Sequence, residues 1–226
     1  MIKRVIKSFR AKVPKTLSLK RQILRRNLYW HSLFNEARDV EGCIVECGVG
    51  TGTGLCTWST FSMDLNEPKE IYAIDSFEGF SKFVGEDGDK VSYQKYKKNY
   101  SFYTKAYVKE HLIEFGIEQS FIENKINFLK GYVPEILDAV PSNLKISILN
   151  LDFDLYEPIK AAFLQLYPQV VTNGVILFDE YDKPEDLEKW PGSKKAIDEV
   201  FDILKLDKKD IIKDPSSGYS YYIKSG

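Results

Sequence analysis

The chain has 226 residues, 43% of them apolar and 29% charged, with a formal net charge of −1. This is the balance of one soluble globular domain, and it excludes disordered, collagen-like and low-complexity chains. No apolar run reaches the roughly 20 residues of a membrane span. The basic N-terminus lacks the apolar core of a secretory signal. Cys43, Cys47 and Cys56 are odd in number and unpaired with histidine. They are expected to be reduced, buried thiols in a cytoplasmic protein.

The small net charge hides an asymmetry. Ten of the 32 bases lie within residues 1–26, which hold no acid; the other 22 face 33 acids. Residues 1–40 are expected to form a basic helical arm, and 41–226 the working domain. Ile2, Val5, Ile6, Phe9 and Val13 follow helical spacing up to Pro14, which would stop a helix. Such an arm suits packing on the body or on another subunit of a homo-oligomer. Contact with an anionic membrane surface is the lesser alternative, and nucleic acid is not expected.

Taken in chain order, residues 17–40 repeat apolar positions every three or four residues and predict an amphipathic helix. CIVEC (43–47) then reads as a buried parallel strand running into a glycine-rich turn. Further strands are expected at 70–75, 125–130, 145–151 and 174–180. Helices are expected between them near 53–63, 104–116, 134–140 and 157–167, and again at 193–204. Strand and helix in alternation predict a doubly wound parallel α/β sheet. DIIK (210–213) and YSYYIK (219–224) flank the turn sequence DPSSG, so the sheet should end in an antiparallel hairpin.

About fifty residues, 76–124, separate the second and third strands, too many for a minimal crossover. They hold an acidic turn at 85–89 and Tyr93, Tyr96, Tyr100, Tyr103 and Tyr107, spaced as one stripe along a helix. That stripe either packs on the body or borders a substrate pocket as a lid.

Three constellations carry chemistry. The first is Glu46-Cys47-Gly48-Val49-Gly50-Thr51-Gly52-Thr53-Gly54, after the first strand. Glycines there let backbone approach a ligand, and the following helix N-terminus attracts an anion. The dinucleotide fingerprint G-x-G-x-x-G fails, because Thr53 or Leu55 stands where its third glycine should be. Acid-x-Gly-x-Gly-x-Gly instead resembles the first motif of S-adenosylmethionine (SAM) methyltransferases, with Glu46 anchoring the loop or meeting the donor's ammonium. The second is Asp75, at the tip of the second strand, suited to accept both ribose hydroxyls of a nucleoside. Gly131 and Tyr132 end the third strand where an adenine would lie. The third is a run of carboxylates: Asp152-Phe153-Asp154 after the fourth strand and Asp179-Glu180 after the fifth. Parallel neighbours bring these to one edge, where their repulsion calls for a hard divalent cation such as Mg²⁺. Asp152, Asp179 and Glu180 are the expected ligands, with Asp154 a fourth ligand or a base. His31 and His111 sit on helical patterns away from this edge.

Together IVECGVGTGTG, YAIDSFEGF, LDFDLYEP, GVILFDEYD and WPGSKKAIDEVF resemble the macrocin O-methyltransferase family over roughly residues 40–205. The resemblance implies a seven-stranded sheet with its last strand antiparallel, and metal-dependent methylation of sugar hydroxyls with SAM. It implies that Glu46, Gly48, Gly50, Asp75 and Ser76 hold SAM, with Gly52 and Thr53 in the same loop, and that Asp152, Asp179 and Glu180 hold the metal. Asp152 or Asp154 would act as base. The family often has two aspartates where this chain has Asp179-Glu180. Tyr96, Tyr156, Tyr181 and Trp190 are candidate contacts for a sugar-containing metabolite or glycan. The alternatives are a glycosyltransferase using Asp152-x-Asp154, a methyltransferase without metal, and a non-catalytic assembly partner.

Overall fold

Strands such as CIVEC and ISILNL, buried at every residue, need cover on both faces, and the fold supplies it. The computed structural model describes residues 15–88 and 100–226, with the backbone alone for 15–20 and 22. Helix α1 (Lys15–Glu36) precedes strand β1 (Cys43–Cys47), α2 (Thr53–Met63) and β2 (Ile71–Asp75). Then come α3 (Lys105–Phe115), α4 (Gln119–Lys125), β3 (Ile126–Lys130), β4 (Ile146–Leu151) and α5 (Tyr156–Leu166). The chain ends in β5 (Val170–Phe178), α6 (Pro184–Lys189), α7 (Pro191–Leu204), β6 (Ile212–Lys213) and β7 (Ser220–Ile223). The sheet has seven strands in the order β3-β2-β1-β4-β5-β7-β6. β1 to β5 run parallel to their neighbours, and β7 is antiparallel to β5 and β6. This is the expected doubly wound α/β sheet closed by an antiparallel hairpin.

The pleat sends alternate residues to two cores. Val45, Cys47, Leu149, Leu151, Ile176 and Phe178 meet the side that includes α5 and α7. Ile44, Ile148, Val175 and Leu177 meet the side that includes α1, α2 and α3. The α1 contribution is large: Tyr29, Trp30, Leu33, Phe34 and Ala37 are buried there. Trp30 stacks on Trp58 with centroids 4.8 Å apart. The boundary expected at residue 40 therefore runs through one packed unit. The helix expected over residues 2–13 lies outside the described residues, as do Tyr93 and Tyr96.

Several elements differ from expectation. β5 starts at Val170 rather than at Gly174, because Gly174 marks a bulge inside the strand rather than its start. The register against β4 shifts there, and Asn173 has φ 64°. A Cβ on Gly174 would lie 2.7 Å from Val170 Cγ1. Residues 135–139 form a 3₁₀ turn instead of an α-helix. The single tyrosine helix is broken. Thr104 is extended (φ −68°, ψ 161°), and its hydroxyl accepts the Tyr107 N–H to start α3. Short helices α4 and α6 were not foreseen. Each has fewer than two full turns of pattern to read. The three cysteines are free and buried, and burial pushes the Cys43 and Cys56 thiols up to about 12.

Docking of α1 has a testable cost. Trp30→Ala should lower unfolding stability by about 3–5 kcal/mol in denaturant titration. A loss below about 1 kcal/mol would show that α1 is not part of the core.

Candidate active site

Strand register sets the site. Cys47 pairs with Ile74 and Leu151, and Leu151 with Phe178. The residues that follow, Gly48, Asp75, Asp152 and Asp179, are therefore level at the carboxyl edge. Backbone bonds continue across that row, from Gly48 N–H to Ile74, Asp152 N–H to Cys47 and Asp179 N–H to Leu151. This is the edge where open α/β sheets take ligands, and a cavity of about 340 Å³ opens there.

The glycines of the first loop answer to the protein as well as to any ligand. A Cβ on Gly48, whose φ is +94°, would fall 1.8 Å from the Asp152 carbonyl oxygen. A Cβ on Gly54 would fall 2.0 Å from Glu46 Oε1. Glycine at 48 thus lets β1 and β4 turn past each other, and glycine at 54 makes room for a buried glutamate. Glu46 is 1% exposed, and its Oε2 is buried with no hydrogen-bond partner among the described residues. Burial raises its carboxyl well above the usual range, against the pull of Arg26.

Asp75 has a role that its position in the sequence did not reveal. One carboxylate oxygen accepts the N–H groups of Val49 (2.8 Å) and Gly50 (3.1 Å), the other that of Phe77 (2.6 Å). The acid expected to read a ribose is also the clamp that shapes the glycine loop. Burial raises its pKa, and these hydrogen bonds oppose the rise.

The carboxylates of Asp152, Asp154, Asp179 and Glu180 all line this cavity. Among the described residues, Asp152, Asp154 and Glu180 offer oxygens that all lie within 4.8 Å of one another. Asp179 lines the same cavity but stands outside this trio. Asp154, the expected fourth ligand or base, has a left-handed backbone (φ 62°). That conformation costs a non-glycine residue of order 1 kcal/mol and belongs with strained functional sites. Burial first, then neighbouring acids, raises the carboxyls of Asp152, Asp154 and Glu180; Lys189 pulls Asp154 back. Glu180 Oε2 is buried with no hydrogen-bond partner among the described residues. The cavity wall holds seven carboxylates against Arg26, Lys183 and Lys189.

The cavity wall includes Glu46, Gly48, Gly50, Thr53, Asp75 and Ser76 from the expected donor set. Tyr132 also lines it. Gly52 instead caps α2, and Gly131 packs against Ile136. Trp190 lines it too, next to Phe80 at 5.4 Å. Tyr156 and Tyr181 do not. Tyr156 bonds Glu199 and Lys160, and Tyr181 donates to Asp198 at 2.8 Å, so both hydroxyls serve α7 and its neighbour α5. Tyr100 and Tyr103 border the cavity, with Tyr100 4.9 Å from Phe80. Arg26 was missed. It counted as one charge of a basic arm, but its guanidinium sits 4.7 Å over Trp30 at the cavity wall. Its position in α1, three or four residues before the buried Tyr29 and Trp30, was the available signal.

Comparison with known proteins places this geometry. The family model described as macrocin-O-methyltransferase (TylF) matches residues 31–209. The chain belongs to that family. It is similar to demethyldecarbamoylnovobiocin O-methyltransferase of Streptomyces niveus, 27% identical over 173 residues, 73% of this chain and 61% of the relative. It is also similar to 8-demethyl-8-(2,3-dimethoxy-alpha-L-rhamnosyl)-tetracenomycin-C 4'-O-methyltransferase of Streptomyces olivaceus, 24% identical over 146 residues, 64% of this chain and 55% of the relative. The chain thus spans 61% and 55% of the length of these relatives. Among solved structures, the calicheamicin methyltransferase CalS11 aligns with TM-score 0.72 and 25% identity over 90% of this chain and 80% of its own. The O-methyltransferase NovP aligns with TM-score 0.70 and 21% identity over 89% of this chain and 80% of its own. The latter likeness shows the fold.

The clamp role of Asp75 is testable. Asp75→Asn should turn an amide toward three N–H donors and cost about 2 kcal/mol or more in denaturant unfolding. An unchanged midpoint would show that the loop does not depend on it.

Proposed function

We propose that the chain transfers a methyl group from SAM to a hydroxyl of a sugar-bearing metabolite, with Mg²⁺ or a similar cation in the acid trio. The carrying observation is a single cavity in which the first-strand glycine loop and the acidic ends of β4 and β5 meet. An excess of carboxylates suits a cationic donor and a divalent ion. Oxygen donors alone suit a hard cation. The unpartnered oxygens of Glu46 and Glu180 fit residues that wait for a ligand.

When bound, SAM supplies the methyl group and the cation lowers the pKa of the accepting hydroxyl. The remaining work falls to the chain. Glu46 would take the donor's ammonium, and Asp75 keeps the glycine loop in shape beneath it. Tyr132 would flank the adenine. Asp152, Asp154 and Glu180 would hold the cation, with Asp179 beside them. Asp152 or Asp154 would take the acceptor's proton on a carboxylate oxygen. Phe80, Tyr100 and Trp190 form an aromatic wall that would exclude water and pack on an apolar sugar face. Holding acceptor and methyl in line is a large part of the rate. Family membership favours this reading over a glycosyltransferase using Asp152-x-Asp154, which would leave the glycine loop without a task.

Methyl transfer to a panel of glycosylated acceptors, read by mass spectrometry, tests the proposal. EDTA should stop turnover and Mg²⁺ should restore it. Asp152→Asn should cut turnover by about 10²–10⁴-fold while SAM affinity stays within about threefold. Full activity in that variant would remove the metal assignment.

A further inference from the structure

Two polar atoms of opposite character, buried and without hydrogen-bond partners, come from residues at this cavity wall: Arg26 Nε and Glu46 Oε2. Their residues come from elements far apart in sequence, α1 and β1, and meet at one indole. The Arg26 guanidinium lies 4.7 Å over the Trp30 ring. The point where a Gly54 Cβ would stand is 3.2 Å from Trp30 and 2.0 Å from Glu46 Oε1. Among the described residues Arg26 makes no ion pair within 4.0 Å, although Glu46, Asp152 and Asp179 all act on its charge. A guanidinium and a carboxylate held near each other but not joined are unusual in a buried place, since each forgoes the partner that would offset its lost hydration. A ligand that carries an ammonium and a carboxylate on one carbon, an α-amino acid, would offer each of them the opposite charge.

We propose that Arg26 binds the carboxylate of the amino-acid end of the methyl donor while Glu46 takes its ammonium. This rests on the methyl-donor reading and adds to it a residue outside the glycine loop and the strand ends. A guanidinium offers a carboxylate two parallel N–H donors, which a lysine cannot match. The face of Trp30 holds the guanidinium plane in place, so little freedom is lost when the donor binds. The assignment also gives α1 a task. Through Arg26 the helix becomes a wall of the donor site.

The test is calorimetry of wild-type protein and Arg26→Gln with two ligands, SAM and decarboxylated SAM, which lacks only the carboxylate. Wild-type protein should prefer SAM. Arg26→Gln should weaken SAM by about 10- to 100-fold and leave decarboxylated SAM within about twofold, so the preference collapses. Arg26→Lys should fall between the two, which separates loss of the fork from loss of charge. Hydrogen exchange in residues 21–36 should slow when SAM binds wild-type protein and stay unchanged when it is added to Arg26→Gln. Equal weakening of both ligands, or unchanged SAM binding, would overturn the assignment and leave the methyl-donor reading standing. Absence of SAM binding to wild-type protein would overturn that reading and the assignment together.

Discussion

The site depends on carboxylates brought together by strand register. Asp152, Asp154 and Glu180 offer oxygens within 4.8 Å of one another, in a wall that excludes much of the water. At an effective dielectric constant of about 20, two unit charges that close repel by about 3 kcal/mol. Three such pairs approach about 10 kcal/mol, comparable to the whole stability of a domain. The fully ionised, cation-free cluster is therefore not a stable resting state. The raised proton affinities of these acids are one relief, and a divalent cation is the other. A chain that keeps such a cluster at the ligand edge of its sheet keeps it for something it binds.

The surroundings are organised by the same edge. Gly48 must be glycine because the Asp152 carbonyl passes too close for any side chain. The first loop is thus tied to the acid cluster by backbone contact before any ligand arrives. Asp75 fixes the next two residues of that loop through Val49 and Gly50. Arg26 brings α1 into the same field, and the buried Trp30–Trp58 stack makes that placement rigid. The aromatic wall of Phe80, Tyr100 and Trp190 comes from three separate segments. One of them is pinned by Asp87, which accepts the Tyr156 N–H at 2.7 Å. Donor site, cation site and acceptor wall are consequently coupled through a few side chains rather than through one motif.

How much of this could be read from the residues follows from range. The parallel strands were visible because burial on both faces leaves continuous apolar runs such as CIVEC and ISILNL. The hairpin was visible from DPSSG. The acid cluster was visible because parallel neighbours end together, so Asp152 and Glu180 had to converge. Whether Asp154 joins Asp152, Asp179 and Glu180 as a fourth ligand or serves as a base was not decidable from spacing. Asp154 takes a left-handed φ of 62°, which the residue types around it do not announce. Tyr156 and Tyr181 looked like pocket residues because they follow the acids directly, yet their hydroxyls are taken by Glu199 and Asp198. Arg26 was hidden for the opposite reason. It lies far from every motif, and only the docking of α1 brings it to the edge.

The central claim is that this acidic edge, with the glycine loop, is a SAM site. Calorimetric titration of the purified protein with SAM, with and without Mg²⁺ and with NADH as control, tests it most directly. The account predicts micromolar SAM binding and no binding of NADH. Failure to bind SAM under either condition would contradict it at Gly48–Gly54, where the argument begins.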